Sequence, residues 1–324
     1  MAIPAQPPSE GLRLGVLPWN QATDWPSYER TCVRLDELGY DHIWAWDHLH
    51  AIFGEPQQPI FEGWLSLAAL AKVTSRARLG LLVGANTFRN PGLVAKLATT
   101  LDHVSGGRAI MGLGGAWFEY EHTAHGIDFG RSPGERLTWM DEAAAAIRTL
   151  LDGGSVTSPD GGRYRFRDLR QEPLPLQAHL PLMIGGSGER KTLRTIARYA
   201  DMWNGMGRFE TMQRKVQVLE QHCADVGRDP AQIERTIGFK PVIRDSEAEA
   251  RRVLEGQMEH NQTPMSNIED DPTFWLGTPE QLAGRLTEMR SLGFHTAIAE
   301  IGAPYDDETI ERLIGEVKPL VDAG

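Results

Sequence analysis

The stretch Ala109-Ile110-Met111-Gly112-Leu113-Gly114-Gly115-Ala116-Trp117 decides between the two α/β architectures open to this chain. An apolar run ending in Gly-x-Gly reads as a buried parallel strand. It approaches the G-x-G-x-x-G fingerprint with which a doubly wound sheet binds a dinucleotide. Trp117 stands where the third glycine is required, so the fingerprint fails. No Walker A sequence takes its place, because in Gly188-Glu189-Arg190-Lys191-Thr192 the glycine does not directly precede the lysine.

On either side of this run, short apolar stretches alternate with amphipathic helical patterns. The predicted strands are Leu12–Leu17, His42–Trp46, Arg78–Val83, Ala109–Leu113, Leu180–Ile184, Asp201–Asn204, Arg235–Lys240 and Thr296–Glu300. Most are nearly continuous apolar runs, as strands buried on both faces require. Asn90-Pro91 starts a helix that Gly106-Gly107 ends, and Thr278-Pro279-Glu280-Gln281 is a capping box. Eight such units predict an α/β fold of the (β/α)8 TIM-barrel type, as one domain over residues 1–324. Loop insertions are expected at Gly115–Arg131, Gly153–His179 and Asn261–Gly277, the second with a small hairpin at Tyr164-Arg165-Phe166-Arg167.

Of the 324 residues, 41% are hydrophobic and 24% charged, and 33 basic against 44 acidic side chains leave a net charge of −11. That balance disfavours a nucleic-acid binder, which needs a basic surface. The mean hydropathy is −0.35 and no apolar run is long enough to span a bilayer, so no membrane contact is expected. Met1–Glu10 is polar and Pro-rich, unlike a secretory signal. Cys32 and Cys223 lie far apart in helical patterns and read as reduced thiols, which gives cytoplasmic location as the expectation.

In such a barrel the active site forms at the C-terminal strand ends. The second strand ends Trp44-Ala45-Trp46-Asp47-His48-Leu49-His50. His48 is suited to shuttle a proton, and Asp47 either to orient it or to accept a cofactor hydrogen bond. The plainer alternative makes Asp47 a loop cap and His48 a satisfied polar residue; a strand end crowded with tryptophans favours function. His48-x-His50 also has the spacing of metal ligands, but later strand ends offer only Glu300 to complete a set, so no metal is expected.

The fifth strand runs into Gly185-Gly186-Ser187-Gly188 and a helix start at Glu189, followed by Arg190 and Lys191. This is a candidate phosphate cradle or, more plainly, a tight turn. The glycines before Gly115 and Ala116 suit either a flat ligand lying on the backbone or close packing. Asn86, at the third strand end, is a candidate partner for a cofactor ring or a turn former. Trp19, Trp46, Trp117 and Trp203 fall at or beyond strand ends and, with Glu300, are candidates for the wall of an apolar substrate pocket. Arg163, Arg165, Arg167 and Arg170 form a basic cluster that either meets an anionic tail or is a solvated face.

Taken in order, Trp46-Asp47-His48, Thr87-Phe88-Arg89-Asn90-Pro91, Leu101-Asp102-His103-Val104-Ser105-Gly106-Gly107-Arg108, Gly112–Trp117 and Ile184–Gly188 resemble the luciferase-like monooxygenase family, especially its deazaflavin-dependent branch. The similarity runs from Leu12 to Val321. It implies a barrel that binds coenzyme F420 or FMN at its C-terminal face, as a homodimer. It also implies Asp47 against the cofactor and His48 as acid/base. The phosphate group would lie at Gly185–Gly188 beside Arg190 and Lys191, and the ring near Asn86, Gly115 and Ala116. Sugar-phosphate dehydrogenases of this branch carry a Glu where this chain has Trp117, with Glu119 shifted, so a small apolar or aromatic substrate is expected instead. The basic Arg163–Arg170 cluster suits the acidic tail of F420, and with it hydride transfer assisted by His48. The alternatives are an FMN-dependent monooxygenase served by a separate reductase and a flavin- or deazaflavin-binding protein without turnover.

Overall fold

Pairing between the first and last strands closes the sheet. In the computed structural model, which describes residues 11–324, β1 (Arg13–Pro18) pairs in parallel with β2 (His42–Ala45) on one side and β10 (Phe294–Ile301) on the other. The order continues through β3 (Arg78–Leu81), β5 (Ala109–Gly114), β6 (Leu182–Gly185), β7 (Met202–Met206) and β8 (Glu234–Ile243), which pairs back onto β10. These eight strands form the predicted closed parallel barrel. Two short strands carried no periodic signal: β4 (Gly84–Ala85) lies beside the end of β5, and β9 (Phe274–Gly277) beside the end of β8.

The helices start and stop where their caps lie. Asn90 accepts a bond from Gly92 N–H at the head of α3 (Pro91–Ser105), and Gly106 ends it in the left-handed conformation at φ 70°. The capping box at Thr278 and Gln281 forms at the start of Pro279–Ser291. Two expectations need correction. The helix predicted from Glu189 begins instead at Thr192 (α6, Thr192–Tyr199). The predicted hairpin around Tyr164–Arg167 is a loop closed by one isolated antiparallel bridge between Val156 and Leu169.

Two apolar layers hold the barrel. One lies between strands and helices and includes Leu14, Ile43, Leu79, Met111 and Ile184. The other fills the lumen with Leu17, Trp44, Ile110, Met183, Met202 and Ile298. Trp44 is the largest of these, and its neighbours make way for it: a Cβ on Gly15 or Gly80 would lie 2.8 or 2.7 Å from its ring. Close packing of this kind leaves the lumen no channel. Cys32 and Cys223 are both buried and unbridged. Residues Met1–Glu10, read above as no signal, lie outside the described residues. Among the described residues no helix is long and apolar enough to cross a membrane.

The N-terminal face is built for stability. Arg108 reaches the carbonyls of Ala71, in the last turn of α2 (Gly63–Val73), and of Thr74 and Ala77 beyond it. Asp36 accepts bonds from the N–H groups of Ser75, Arg76 and Ala77 at 2.6–2.9 Å and from the Ser75 hydroxyl. Burial works to raise the Asp36 carboxyl, but these donors outweigh it and hold the group below the ordinary value. Asp36 thus adds stability above the ordinary aspartate range, and loses it as pH falls through its depressed pKa. Asp36→Ala should cost about 2 kcal/mol at neutral pH, from the unpaired N–H groups it leaves. Urea unfolding at neutral and acid pH should show the gap from wild type shrinking in acid.

Candidate active site

The C-terminal strand ends surround a cavity of about 480 Å³. Its wall includes Trp46, Asp47 and His48 after β2; Val83 and Ala85 after β3; Gly114, Gly115, Ala116 and Trp117 from β5 onward; Gly185 and Gly186; Asn204; Lys240; and Glu300. Residues from seven of the eight barrel strand ends therefore meet in one place, at a volume suited to a ring system and a small second molecule.

His48 is held by a carboxylate that no motif singled out. Its Nδ1–H donates to Glu121 at 2.9 and 3.1 Å to the two oxygens, and Glu121 also accepts from Leu49 N–H at 2.9 Å. Glu121 is buried and sits on the short helix α4 (Glu119–His125), inside the first predicted insertion. His122, next to it, pins that helix by pairing with Thr87 Oγ1 at 2.6 Å and with Phe118 O at 2.8 Å. Fixing Nδ1 in this way leaves His48 Nε2 without a partner among the described residues at the cavity wall, where it can give or take a proton.

The structure decides against one of the two roles expected of Asp47. Asp47 does not orient His48. Arg89 Nη1 donates to both of its oxygens at 2.9 and 2.8 Å, and Ala85 N–H donates at 2.8 Å. Arg89 Nη2 goes on to Glu62 at 2.6 Å. Burial pushes the Asp47 carboxyl up, against the pull of Arg89 and Ala85 N–H. The side chain locks the end of β2 to the segment after β3, and keeps an edge on the cavity.

The glycine-rich loop also divides. Gly185 and Gly186 line the cavity, and Trp203 Nε1–H donates to Gly186 O at 2.9 Å from the core. Gly186 N–H is taken by Asn204 O, whereas the N–H groups of Ser187 and Gly188 have no acceptor among the described residues. Arg190 is exposed beside them. Lys191, predicted to join the cradle, instead donates to Gly134 O and Thr138 Oγ1 at 2.7 Å each, on α5 (Pro133–Leu151).

Three further expectations change. Asn86 is buried and its amide donates to the Tyr164 hydroxyl at 3.1 Å, behind the wall. Trp19 is core: it stacks on Phe53 at 4.1 Å and supports Trp46 at 5.1 Å from behind. Arg163 is engaged with Asp128 at 2.6 Å and lies over the Trp139 ring, so it does not stand free for an acidic tail. Much of the glycine run also answers to packing. A Cβ on Gly112 would sit 1.8 Å from Leu81 O, and one on Gly115 2.7 Å from Leu137. Trp117, in contrast, is 60% exposed and stands edge-on to His48 at 5.6 Å, at the cavity mouth. Glu300 is buried on the cavity wall, with Lys240 Nζ at 3.9 Å. His50 Nδ1–H donates elsewhere, to Pro56 O at 3.0 Å, and among the described residues no three His, Cys, Asp or Glu converge as metal ligands.

Comparison with known proteins agrees with this architecture. Residues 13–296 match the model of the luciferase-like monooxygenases, and the chain belongs to that family. An uncharacterised protein of Mycobacterium tuberculosis is 35% identical over 179 residues, 55% of this chain and 62% of its own length. A phthiodiolone/phenolphthiodiolone dimycocerosates ketoreductase of Mycobacterium sp. (strain JLS) is 28% identical over 254 residues, 70% of this chain and 65% of that one. The chain thus spans less than two thirds of the length of these curated relatives. Among solved structures, an F420-dependent secondary alcohol dehydrogenase in complex with an F420-acetone adduct superposes with a TM-score of 0.82 at 18% identity, over 96% of this chain and 99% of that one. An FMN complex of a type II Baeyer–Villiger monooxygenase from Pseudomonas putida gives 0.71 at 14%, over 95% and 98%. At these identities the two structures speak for the fold.

The pairing of Glu121 with His48 is open to test by ¹⁵N NMR of the imidazole. The Nδ1–H tautomer should dominate in the wild type and lose its preference in Glu121→Leu. The variant should also lose about 2 kcal/mol of stability, because Leu49 N–H is left unpaired. An unchanged tautomer ratio would remove Glu121 from this role.

Proposed function

We propose that this protein is an F420-dependent oxidoreductase acting on a small, uncharged and largely apolar molecule. The observation that carries the reading is the cavity in which His48, oriented by Glu121, shares a wall with the Gly185–Gly186 loop. The residues fit such a cofactor. Free N–H groups at Ser187 and Gly188 beside exposed Arg190 suit a phosphate. The backbone of Gly114, Gly115 and Ala116 offers a flat face for a ring. When bound, F420 would supply a two-electron hydride carrier in place of oxygen chemistry.

The chain's own contribution is position and proton supply. Trp46, Phe53, Leu82 and Val83 keep the cavity wall apolar and limit water near the reacting groups. His48 Nε2 holds or gives up the proton that accompanies a hydride, and Glu121 fixes the ring that carries it. Asp47 acts through structure: with Arg89 it holds the ends of β2 and β3 in register at the cavity wall. The ketoreductase similarity and the apolar wall both support a ketone or alcohol as substrate. Function in the cytoplasm as a homodimer belongs to the same reading.

Titration with F420 and, separately, with FMN, followed by fluorescence, tests the cofactor. Saturable binding of F420 alone is expected, and binding of FMN alone would move the protein to oxygen chemistry. In the F420-loaded protein, His48→Ala should lower turnover of F420 with a ketone or alcohol by about 10²- to 10⁴-fold. Cofactor affinity should change little, and undiminished turnover would exclude His48 as the proton carrier.

A further inference from the structure

Lys240 and Glu300 are the two ionisable groups on the cavity wall that the reading above leaves without a task. They lie on adjacent strands, β8 and β10, and both are buried. One ammonium faces two carboxylates there, and the geometry shows which it serves. Lys240 Nζ donates to Thr273 Oγ1 at 2.7 Å and lies 3.6 Å from Asp271. Asp271 in turn accepts from Thr273 N–H at 2.9 Å and Thr273 O–H at 2.6 Å. Glu300 is 3.9 Å from the same ammonium, and its carboxyl group takes part in no hydrogen bond among the described residues. It is 8% exposed and borders the cavity.

A buried carboxylate without a donor is costly, and the usual escape is to take a proton. The charged and titratable groups that face Glu300 are Lys240 from β8, Asp271 from the segment before β9, and His48 from the loop after β2. Lys240 is matched by Asp271, and His48 by Glu121 behind it. No net positive charge therefore remains to hold Glu300 ionised. Burial accordingly raises its carboxyl, against the weaker pull of Lys240, whereas Asp271 is held below the ordinary value: burial opposes this, but Lys240 and Thr273 outweigh it.

We propose that Glu300 is the specificity determinant of this cavity: as a neutral acid it donates a hydrogen bond to an uncharged oxygen, a ketone or its alcohol, on an otherwise apolar substrate. The proposal deepens the reading above and rests on it for the reaction, but concerns binding alone. A neutral donor in an apolar wall favours a neutral oxygen. It offers an anion no net countercharge, since Lys240 is already matched, and offers a cation no carboxylate. An oxygen bound there lies in the cavity that His48 also borders, where the proton is needed.

The test uses cofactor-loaded protein and four probes of similar size: cyclohexanone, cyclohexylammonium, cyclohexanecarboxylate and toluene. Binding is read from tryptophan fluorescence, since Trp46 and Trp117 line the cavity. Cofactor loading is followed separately, by the cofactor's own fluorescence, so a wrong cofactor and a wrong role for Glu300 give different signals. Wild type should bind cyclohexanone more tightly than either charged probe. Glu300→Leu should weaken cyclohexanone about tenfold, the loss expected for one buried hydrogen bond, and bind toluene as well as wild type. Retained toluene binding also shows that the cavity has survived the substitution. Glu300→Gln, which still has an N–H to donate, should keep most of the ketone affinity. Cyclohexylammonium binding tightest would mean an ionised Glu300, and carboxylate binding tightest would mean that Lys240 reads the ligand. Either result, or equal cyclohexanone affinity in wild type and Glu300→Leu, would overturn the proposal.

Discussion

The barrel depends on filling its lumen. Eight parallel strands close only if side chains occupy the space they enclose, and here Trp44 takes the largest share, with Gly15 and Gly80 cut back to admit it. A filled lumen has two consequences. Every strand must bury apolar residues on both faces, which explains the continuous apolar runs. And a ligand cannot enter the barrel, so the cavity sits on top of the packed core, walled by the residues that follow each strand.

Above that core, charge is arranged in matched groups rather than spread evenly. Arg89 joins Asp47 to Glu62, Glu121 holds His48, and Lys240 pairs with Asp271. Each of these spans elements distant in the chain, so the strand ends are tied together by side-chain contacts. The matching also leaves specific atoms without a hydrogen-bond partner among the described residues: His48 Nε2 and the Glu300 carboxyl group. In a cavity with apolar walls, a few unspent polar atoms settle what can bind and where a proton can move.

The structure also separates residues that shape the fold from those that face the cavity, although both lie in the same motifs. Ser105-Gly106-Gly107-Arg108, part of a stretch on which the family resemblance rests, works on the N-terminal face: Arg108 caps the exit of α2, far from the cavity. Gly112 is demanded by Leu81 O, so only the small residues just after it remain for a ligand. Trp19 and Trp203 are core residues that support the wall, whereas Trp46 and Trp117 form it.

The amino-acid sequence by itself determined the eight strands, the caps at Asn90, Gly106 and Thr278 and the face on which the candidate site lies, because strand burial and capping are written in near neighbours along the chain. Asp47, His48 and the glycine loop were legible for the same reason: they directly follow strands. What only the tertiary structure decided was partnership. Glu121 lies 73 residues from His48 on a helix inside an insertion, and nothing in its local pattern marks it. Lys191 reads as a neighbour of the cradle yet turns to α5, and Asn86 reads as a cavity residue yet bonds to Tyr164. A side chain's direction depends on which donors and acceptors the folded chain brings within 3 Å or so of it, and contacts of that range between distant segments leave no period or motif in the sequence.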